Sequence, residues 1–287
     1  MRFSHRYVYL LMIAVVAIPI VFGFSTKPAR MISAERMYSV VENVSIVEGD
    51  IALVWLDFGP NTIAENGAQA EVLLEHLFRR RIPVLLLSQY PLSEGLLKTI
   101  PRKVADKLNI EMPEQEWKYG ESWINGGYKP GSGNYIQSLV ASTDISTFLG
   151  RDVLGMPIVH YPAFAKITGV EKIKLVGEIT GLTGVFDTII QFFQKKGYRP
   201  TFVHGCTSIT IPEAYIFLDS KQLHGLLEGI AGAAWYGELL QRSFPQSSHK
   251  NLLLTNTALG AAQIAIILLI VAGNVVSLYS WSKRRRD

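Results

Sequence analysis

Two long runs without a single charged side chain frame this sequence, one at each end, and they constrain everything between them. Residues 7–24 read YVYLLMIAVVAIPIVFGF and residues 257–279 read TALGAAQIAIILLIVAGNVVSLY. A helix needs about 20 apolar residues to cross the hydrocarbon core of a bilayer, within a range of about 17–25. Both runs are therefore expected to be transmembrane helices. Arg2, His5 and Arg6 precede the first; Lys283, Arg284, Arg285 and Arg286 follow the second, just after Tyr279 and Trp281 at the position of an interfacial aromatic belt. Cationic flanks stay on the cytoplasmic side. The expected layout is a cytoplasmic N-terminus (1–6), a signal-anchor helix (7–24), an extracytoplasmic domain (25–256), a second transmembrane helix (257–279) and a basic cytoplasmic tail (280–287). The corresponding location is a plasma or inner membrane. A cleaved signal peptide is the alternative for the first run, although its apolar core normally spans only about 7–15 residues. The domain would then still lie outside, held by one helix.

The net charge of +4 suggests a nucleic-acid partner only until it is divided along the chain. With the charged residues of the two ends set aside, 22 basic and 23 acidic residues remain. The middle carries no basic stripe that would follow a phosphate backbone, so no nucleic-acid partner is expected. A hydrophobic share of 48% against 18% charged residues excludes a disordered chain. The single cysteine excludes an internal disulfide and a thiolate-rich zinc site.

Between the two runs the pattern alternates. Residues 51–56 (IALVWL) form a short continuous apolar stretch closed by Asp57-Phe58-Gly59-Pro60, which fits a strand buried on both faces. Residues 64–81 follow with helical apolar spacing, then a strand over 83–88 and a helix over 93–108. A second such unit runs from a strand at 172–179 through Thr180-Gly181-Leu182-Thr183-Gly184 to a helix at 185–196 and a strand at 199–205. The two units share an order: strand, acidic residue, glycine-containing loop, helix, proline-started strand. A weak internal duplication would account for it. Alternation of this kind implies a mostly parallel sheet with right-handed crossovers. The expected fold class is therefore α/β, Rossmann-like or flavodoxin-like. Residues 111–133, rich in Gly, Trp, Tyr and Pro, read as an ordered loop over the carboxyl ends of the strands.

Two segments carry signs of close helix packing. Residues 220–242 are expected to form one helix on which Gly225, Gly229, Ala233 and Gly237 recur every fourth residue, a surface that another helix can approach closely. The partner is either the domain's own core or another subunit. In the second apolar run, Gln263 and Asn274 lie eleven residues apart, about 20° from a whole number of helical turns, so they share a face. Amides in hydrocarbon seek partners, and the first run has none to offer at its centre. Homo- or hetero-oligomeric membrane partners are expected, besides the lipid bilayer itself.

Chemistry is less legible. Ligands bind parallel sheets beyond the carboxyl ends of the strands, where the strand order reverses. Asp57, Ser88 and Glu178 fall at strand ends, Thr62 stands before a helix, and Trp123 and Tyr128 lie in the aromatic loop; these six are the candidate ligand-binding residues. Neither G-x-G-x-x-G nor a Walker A motif occurs, so no nucleotide cofactor is expected. His204-Gly205-Cys206 lacks the further ligands of a metal site, so no metal is expected, and no catalytic residue is assigned. The expected role is a non-enzymatic structural or interaction subunit of a membrane assembly. The alternatives are a sensor of a small extracytoplasmic ligand and an envelope hydrolase or transferase using strand-end carboxylates.

Overall fold

The computed structural model describes residues 5–194 and 197–284. Residues 1–4, 195–196 and 285–287 lie outside the described residues; they include Arg2, Arg285, Arg286 and the end of the helix expected at 185–196. The chain divides into two units, residues 30–248 and the paired end segments 1–29 and 249–287.

The first unit is built on six strands: β1 (Ile51–Asp57), β2 (Val84–Ser88), β3 (Trp123–Tyr128), β4 (Ile173–Thr180), β5 (Thr201–Cys206) and β6 (Gly225–Glu228). All neighbours pair in parallel, in the order β3-β2-β1-β4-β5-β6. This is the strand order of Rossmann sheets and differs from the flavodoxin order. Every residue of β1 is buried, because a central strand of a parallel sheet has helices on both faces. Helices α3 (Ile63–Arg79) and α4 (Glu94–Glu111) carry the chain from β1 to β3; α7 (Val185–Gln194) and α8 (Ile211–Asp219) carry it from β4 to β6. The two duplicated-looking sequence units are thus the two halves of the sheet. α5 (Ser132–Ala141) and α6 (Ile145–Leu149) lie in the connection from β3 back to β4.

Strand alternation sorts the core into two layers. Ile51, Leu53 and Trp55 point to the same core as Ile136 and Leu139 of α5, Ile189 and Phe193 of α7, and Leu218 of α8. On the other face Leu73 of α3 lies against Gly177, beside Val54 and Val203. That face also receives α2 (Ile32–Asn43) and α9 (Gly229–Ser243), which pack on α3 and on each other.

Two expectations change here. Residues 220–242 are not one helix: Gly225 lies in the edge strand β6, and α9 begins at Gly229, which adopts φ 54°. Four residues of strand are too few to show a period, and the glycines mimic a helical stripe. Gly225 is needed for a close approach, since a Cβ there would overlap the backbone of Met37 in α2. Gly229, Ala233 and Gly237 are all buried in α9, against α2 and α3 of the same domain. Residues 111–133 are likewise not one loop. They contain β3, whose sequence WINGGY is too polar and glycine-rich to read as a strand. The residues ahead of β3 approach its amino end, so Trp117 and Tyr119 do not stand over the carboxyl ends. Trp117 is buried and donates its indole N–H to the Phe78 carbonyl at 2.8 Å.

The last segment of this unit is fastened to α3. Arg79, almost wholly buried, pairs with Glu75 at 2.8 Å and with Glu111, and stacks its guanidinium over Phe244 at 4.7 Å. Ser247 donates to Glu75 at 2.6 Å, and Lys107 approaches the same carboxylate at 2.7 Å.

The second unit holds α1 (His5–Phe22) and α10 (Lys250–Arg284), which pack on each other. The Thr26 backbone N–H donates to the Thr257 hydroxyl at 3.0 Å. Residues Lys250–Leu278 are long and apolar enough to cross a membrane. The apolar part of α1, Arg6–Phe22, is shorter, about 25 Å at 1.5 Å per residue against a hydrocarbon core of about 30 Å. Of the two expected spans, one meets the length requirement.

Gly225→Ala should destabilise the full-length chain by about 1–3 kcal/mol through overpacking. Its melting temperature in detergent, read by tryptophan fluorescence, should fall by several degrees. Gly95→Ala, whose Cβ meets nothing within 4 Å on helix α4, should leave it unchanged or raise it. Equal melting temperatures for the two variants would contradict the tight α2–β6 contact.

Candidate functional site at the switch point

The strand order reverses between β1 and β4, so their carboxyl ends, at Asp57 and Thr180, flank the position where Rossmann sheets take ligands. Parallel register sets Trp55 opposite Glu178 and Asp57 opposite Thr180, then Glu178 opposite His204 and Thr180 opposite Cys206. Paired residues share a face of the sheet. A row of buried polar and titratable side chains therefore crosses the centre of the sheet on the face covered by α5 and α7.

The predicted residues Asp57, Ser88 and Glu178 converge there. Asp57 Oδ1 accepts from the Ser88 hydroxyl at 2.7 Å and from the Gln89 backbone N–H at 2.6 Å. Neither Asp57 nor Glu178 has any exposed surface. Among the described residues, Asp57 Oδ2 and the Glu178 carboxyl have no hydrogen-bond partner other than each other, and the Trp55 indole N–H has none. The same holds for the hydroxyl of Tyr135, whose ring meets Trp55 edge-on at 6.3 Å. Burial first, then the charge of Asp57, holds the Glu178 carboxyl well above its ordinary value. Burial also raises Asp57, but the Ser88 and Gln89 donors work against the rise. Two buried carboxyls this close do not both ionise. The donors favour charge on Asp57, and Glu178 keeps the proton.

Asp152, a less deeply enclosed carboxylate, has a full set of donors. It accepts from the hydroxyls of Tyr161 (2.6 Å) and Tyr119 (2.7 Å) and from the N–H groups of Leu154 and Met156 (both 2.9 Å). Burial alone would raise its pKa, yet these donors bring it below the ordinary aspartate value. Glu178 has no such donors.

Side chains of α3 occupy space beyond the ends of β4, β5 and β6. Asn66 and Gln69 of α3, both fully buried, reach over the strand ends. Gln69 Nε2 donates to the carbonyls of Cys206 (2.7 Å), Gly229 (3.0 Å) and Leu227 (3.1 Å). Asn66 Nδ2 donates to the Thr180 carbonyl at 3.1 Å and to Gln69 Oε1 at 2.9 Å. Thr180 in turn donates its hydroxyl to the Asp57 carbonyl at 2.9 Å. Thr62, the N-cap of α3, lies so close to Gly181 that a Cβ at Gly181 would meet its hydroxyl at 2.7 Å. The loop after β5 is treated likewise, since Glu65 accepts from both the N–H (2.9 Å) and the hydroxyl (2.7 Å) of Ser208. Donors that could hold an anion are taken by a carboxylate of the domain.

Trp123 and Tyr128 do not join the cluster. Trp123 opens β3 at the amino end of the sheet, buried and stacked on Phe78 at 5.4 Å. Tyr128 closes the same edge strand, next to Ser88 in register, with its side chain partly exposed. The sequence does not single out Asn66 and Gln69, because a buried amide on a helix reads like an exposed one.

His204 is held by the Glu178 carbonyl at 2.9 Å and stacked on Phe186 at 4.3 Å; burial lowers its pKa to about 4. Its imidazole is neutral. Burial raises the Cys206 thiol to about 12, so it is not a thiolate. A second polar chain crosses the opposite layer, where Tyr236 OH lies 2.6 Å from His76 Nδ1 and His76 Nε2 lies 2.7 Å from Glu42. Burial also lowers His76 to about 4. The neutral ring fits this chain, with Nε2–H donating to Glu42 and Nδ1 accepting from the phenol.

Comparison with known proteins gives no match among family models, curated proteins or solved structures. No group of three or more metal-binding side chains occurs among the described residues.

Glu178→Gln tests the proton assignment. The unfolded Glu178 ionises near 4.5, whereas the folded one keeps its proton well above that value. Folding above pH 4.5 therefore takes up a proton, and the stability from this group falls as pH rises. Glutamine copies the neutral acid without that uptake. The melting temperature of the variant relative to the wild type should rise steadily from pH 5 to pH 8. A difference that is flat or falls with pH would mean that Glu178 is ionised in the fold.

Proposed function

We propose that this chain is a membrane-anchored, non-enzymatic subunit whose α/β domain serves as an interaction platform in a membrane protein assembly. The observation that carries this reading is the occupied space beyond the strand ends. Asn66, Gln69, Thr62 and Glu65 occupy the donors, acceptors and space that a ligand would use. In this reading α10 is a transmembrane helix and α1 is a signal anchor that crosses beside it, its short apolar stretch extended to residues 7–24. The basic flanks keep both termini in the cytoplasm and residues 25–256 outside. The domain's entry and exit helices support that arrangement. α2 and α9 pack together, with Tyr38 donating to Ser243 at 2.7 Å and Trp235 to Glu35 at 3.2 Å, so the two connections leave from one pair of helices.

A tagged full-length chain released gently from membranes should emerge in a complex larger than a monomer. Mass measurement and identification of its components check this, and a clean monomer would overturn it. Protease added to intact cells should cut the domain but not a tag at either terminus.

One observation favours a second reading, a small polar ligand at Asp57 and Glu178: a buried carboxyl pair in which Asp57 Oδ2 and Glu178 have no partner but each other. That reading requires a ligand that raises the melting temperature by mass action, with the rise abolished in Asp57→Asn. The platform reading expects no such ligand among small polar metabolites.

A further inference from the structure

The surface of α10 is not uniform. Leu254, Thr257, Ala258 and Ala265 are its buried residues, and they mark the stripe that faces α1. At 100° per residue, Gln263, Ile267, Ile270 and Asn274 fall on the opposite side of the helix, within about 40° of a common line. All four are exposed. Their spacing of four, three and four residues is that of a coiled-coil seam. Two amides thus sit on one seam, Gln263 at a d position and Asn274 at an a position, with two β-branched residues between them.

α1 cannot satisfy these amides. It lies against the other side of α10, and residues 7–24 contain no Asn, Gln, Ser or Thr. A lipid tail offers neither donor nor acceptor. A partner helix must present amides at two depths eleven residues apart, or the gain is partial. A second copy in the same orientation does so by symmetry, with Gln263 facing Gln263 and Asn274 facing Asn274. Each side-chain amide both donates and accepts, so each like pair is complementary. A single asparagine at an a position of such a seam specifies register and oligomer state.

We infer that α10 pairs with α10 of a second copy of this chain, in parallel, along Gln263, Ile267, Ile270 and Asn274. The inference rests on the reading of α10 as a transmembrane helix and names the first partner in the assembly proposed above.

Disulfide mapping of the full-length chain in its own membrane tests it. The native Cys206 is buried and stays in place as the background. Cysteines introduced as Ile267→Cys and Ile270→Cys should give oxidised dimers well above those of Leu268→Cys and Val275→Cys, which are equally exposed but off the seam. Adding Asn274→Leu to Ile270→Cys should lower the dimer yield about three- to eighteen-fold, the range expected for one interhelical hydrogen bond in a membrane. Asn274→Gln should restore part of it. Equal cross-linking at all four positions, or no effect of Asn274→Leu, would overturn the seam. If no dimers form while another protein co-purifies, the pairing fails and the assembly reading survives. A chain that neither cross-links nor co-purifies with a partner would overturn both.

Discussion

The domain depends on two uncharged amides that join one helix to the ends of three strands. A parallel sheet leaves unpaired carbonyls at the carboxyl end of its strands, and in dinucleotide-binding sheets bound phosphates and loop amides fill that end. Here Gln69 alone meets three carbonyls, at Cys206, Leu227 and Gly229, and Asn66 meets a fourth at Thr180. An unmet buried carbonyl costs about 1–3 kcal/mol, so this one pair of side chains offsets a large share of what closing the site requires. The glycines around it follow from the same need. A Cβ at Gly205 would collide with Gln69 Oε1 at 2.7 Å, and one at Gly181 with Thr62.

Against this background the carboxyl pair stands out, with the Trp55 indole beside it, as a part of the row that the closure leaves unsettled. Asp57 is fixed by serine and backbone donors, while Glu178 has burial on every side and no donor. Asp152, less deeply enclosed and with four donors, lies below the ordinary range, whereas burial raises both Asp57, in spite of its donors, and Glu178. A neutral glutamic acid in the centre of a sheet is a costly choice for packing alone, since a leucine would fill the space without a proton to manage.

Much of the fold was legible because its strands are apolar and its helices periodic. β1, β2, β4 and β5 and helices α3, α4 and α7 follow directly from residues such as Ile51–Asp57, where a continuous apolar run meets a turn. Both edge strands were missed, for physical reasons. β3 carries Asn125, Gly126 and Gly127, and β6 has only four residues. Edge strands have one neighbour instead of two and need less apolar surface, so their sequences say less. At the candidate site the acidic residues and Ser88 were legible from their place at strand ends. The amides that fill the site were not, because a buried Gln on a helix looks the same in sequence as an exposed one. The aromatic pair was misplaced. Trp123 and Tyr128 lie at opposite ends of β3, about 16 Å apart at the rise of a strand, and no composition argument separates them.

The clasp around Arg79 has a mechanical consequence. Tension from the chain that continues into α10 enters this domain at residues 244–247, where Phe244 and Ser247 are tied to Arg79 and Glu75. Those residues belong to α3, the same helix whose Asn66 and Gln69 grip the strand ends. A pull on this segment therefore meets α3 first, through a helix whose amides hold the ends of three strands, before it reaches the edge strand β6 that precedes α9.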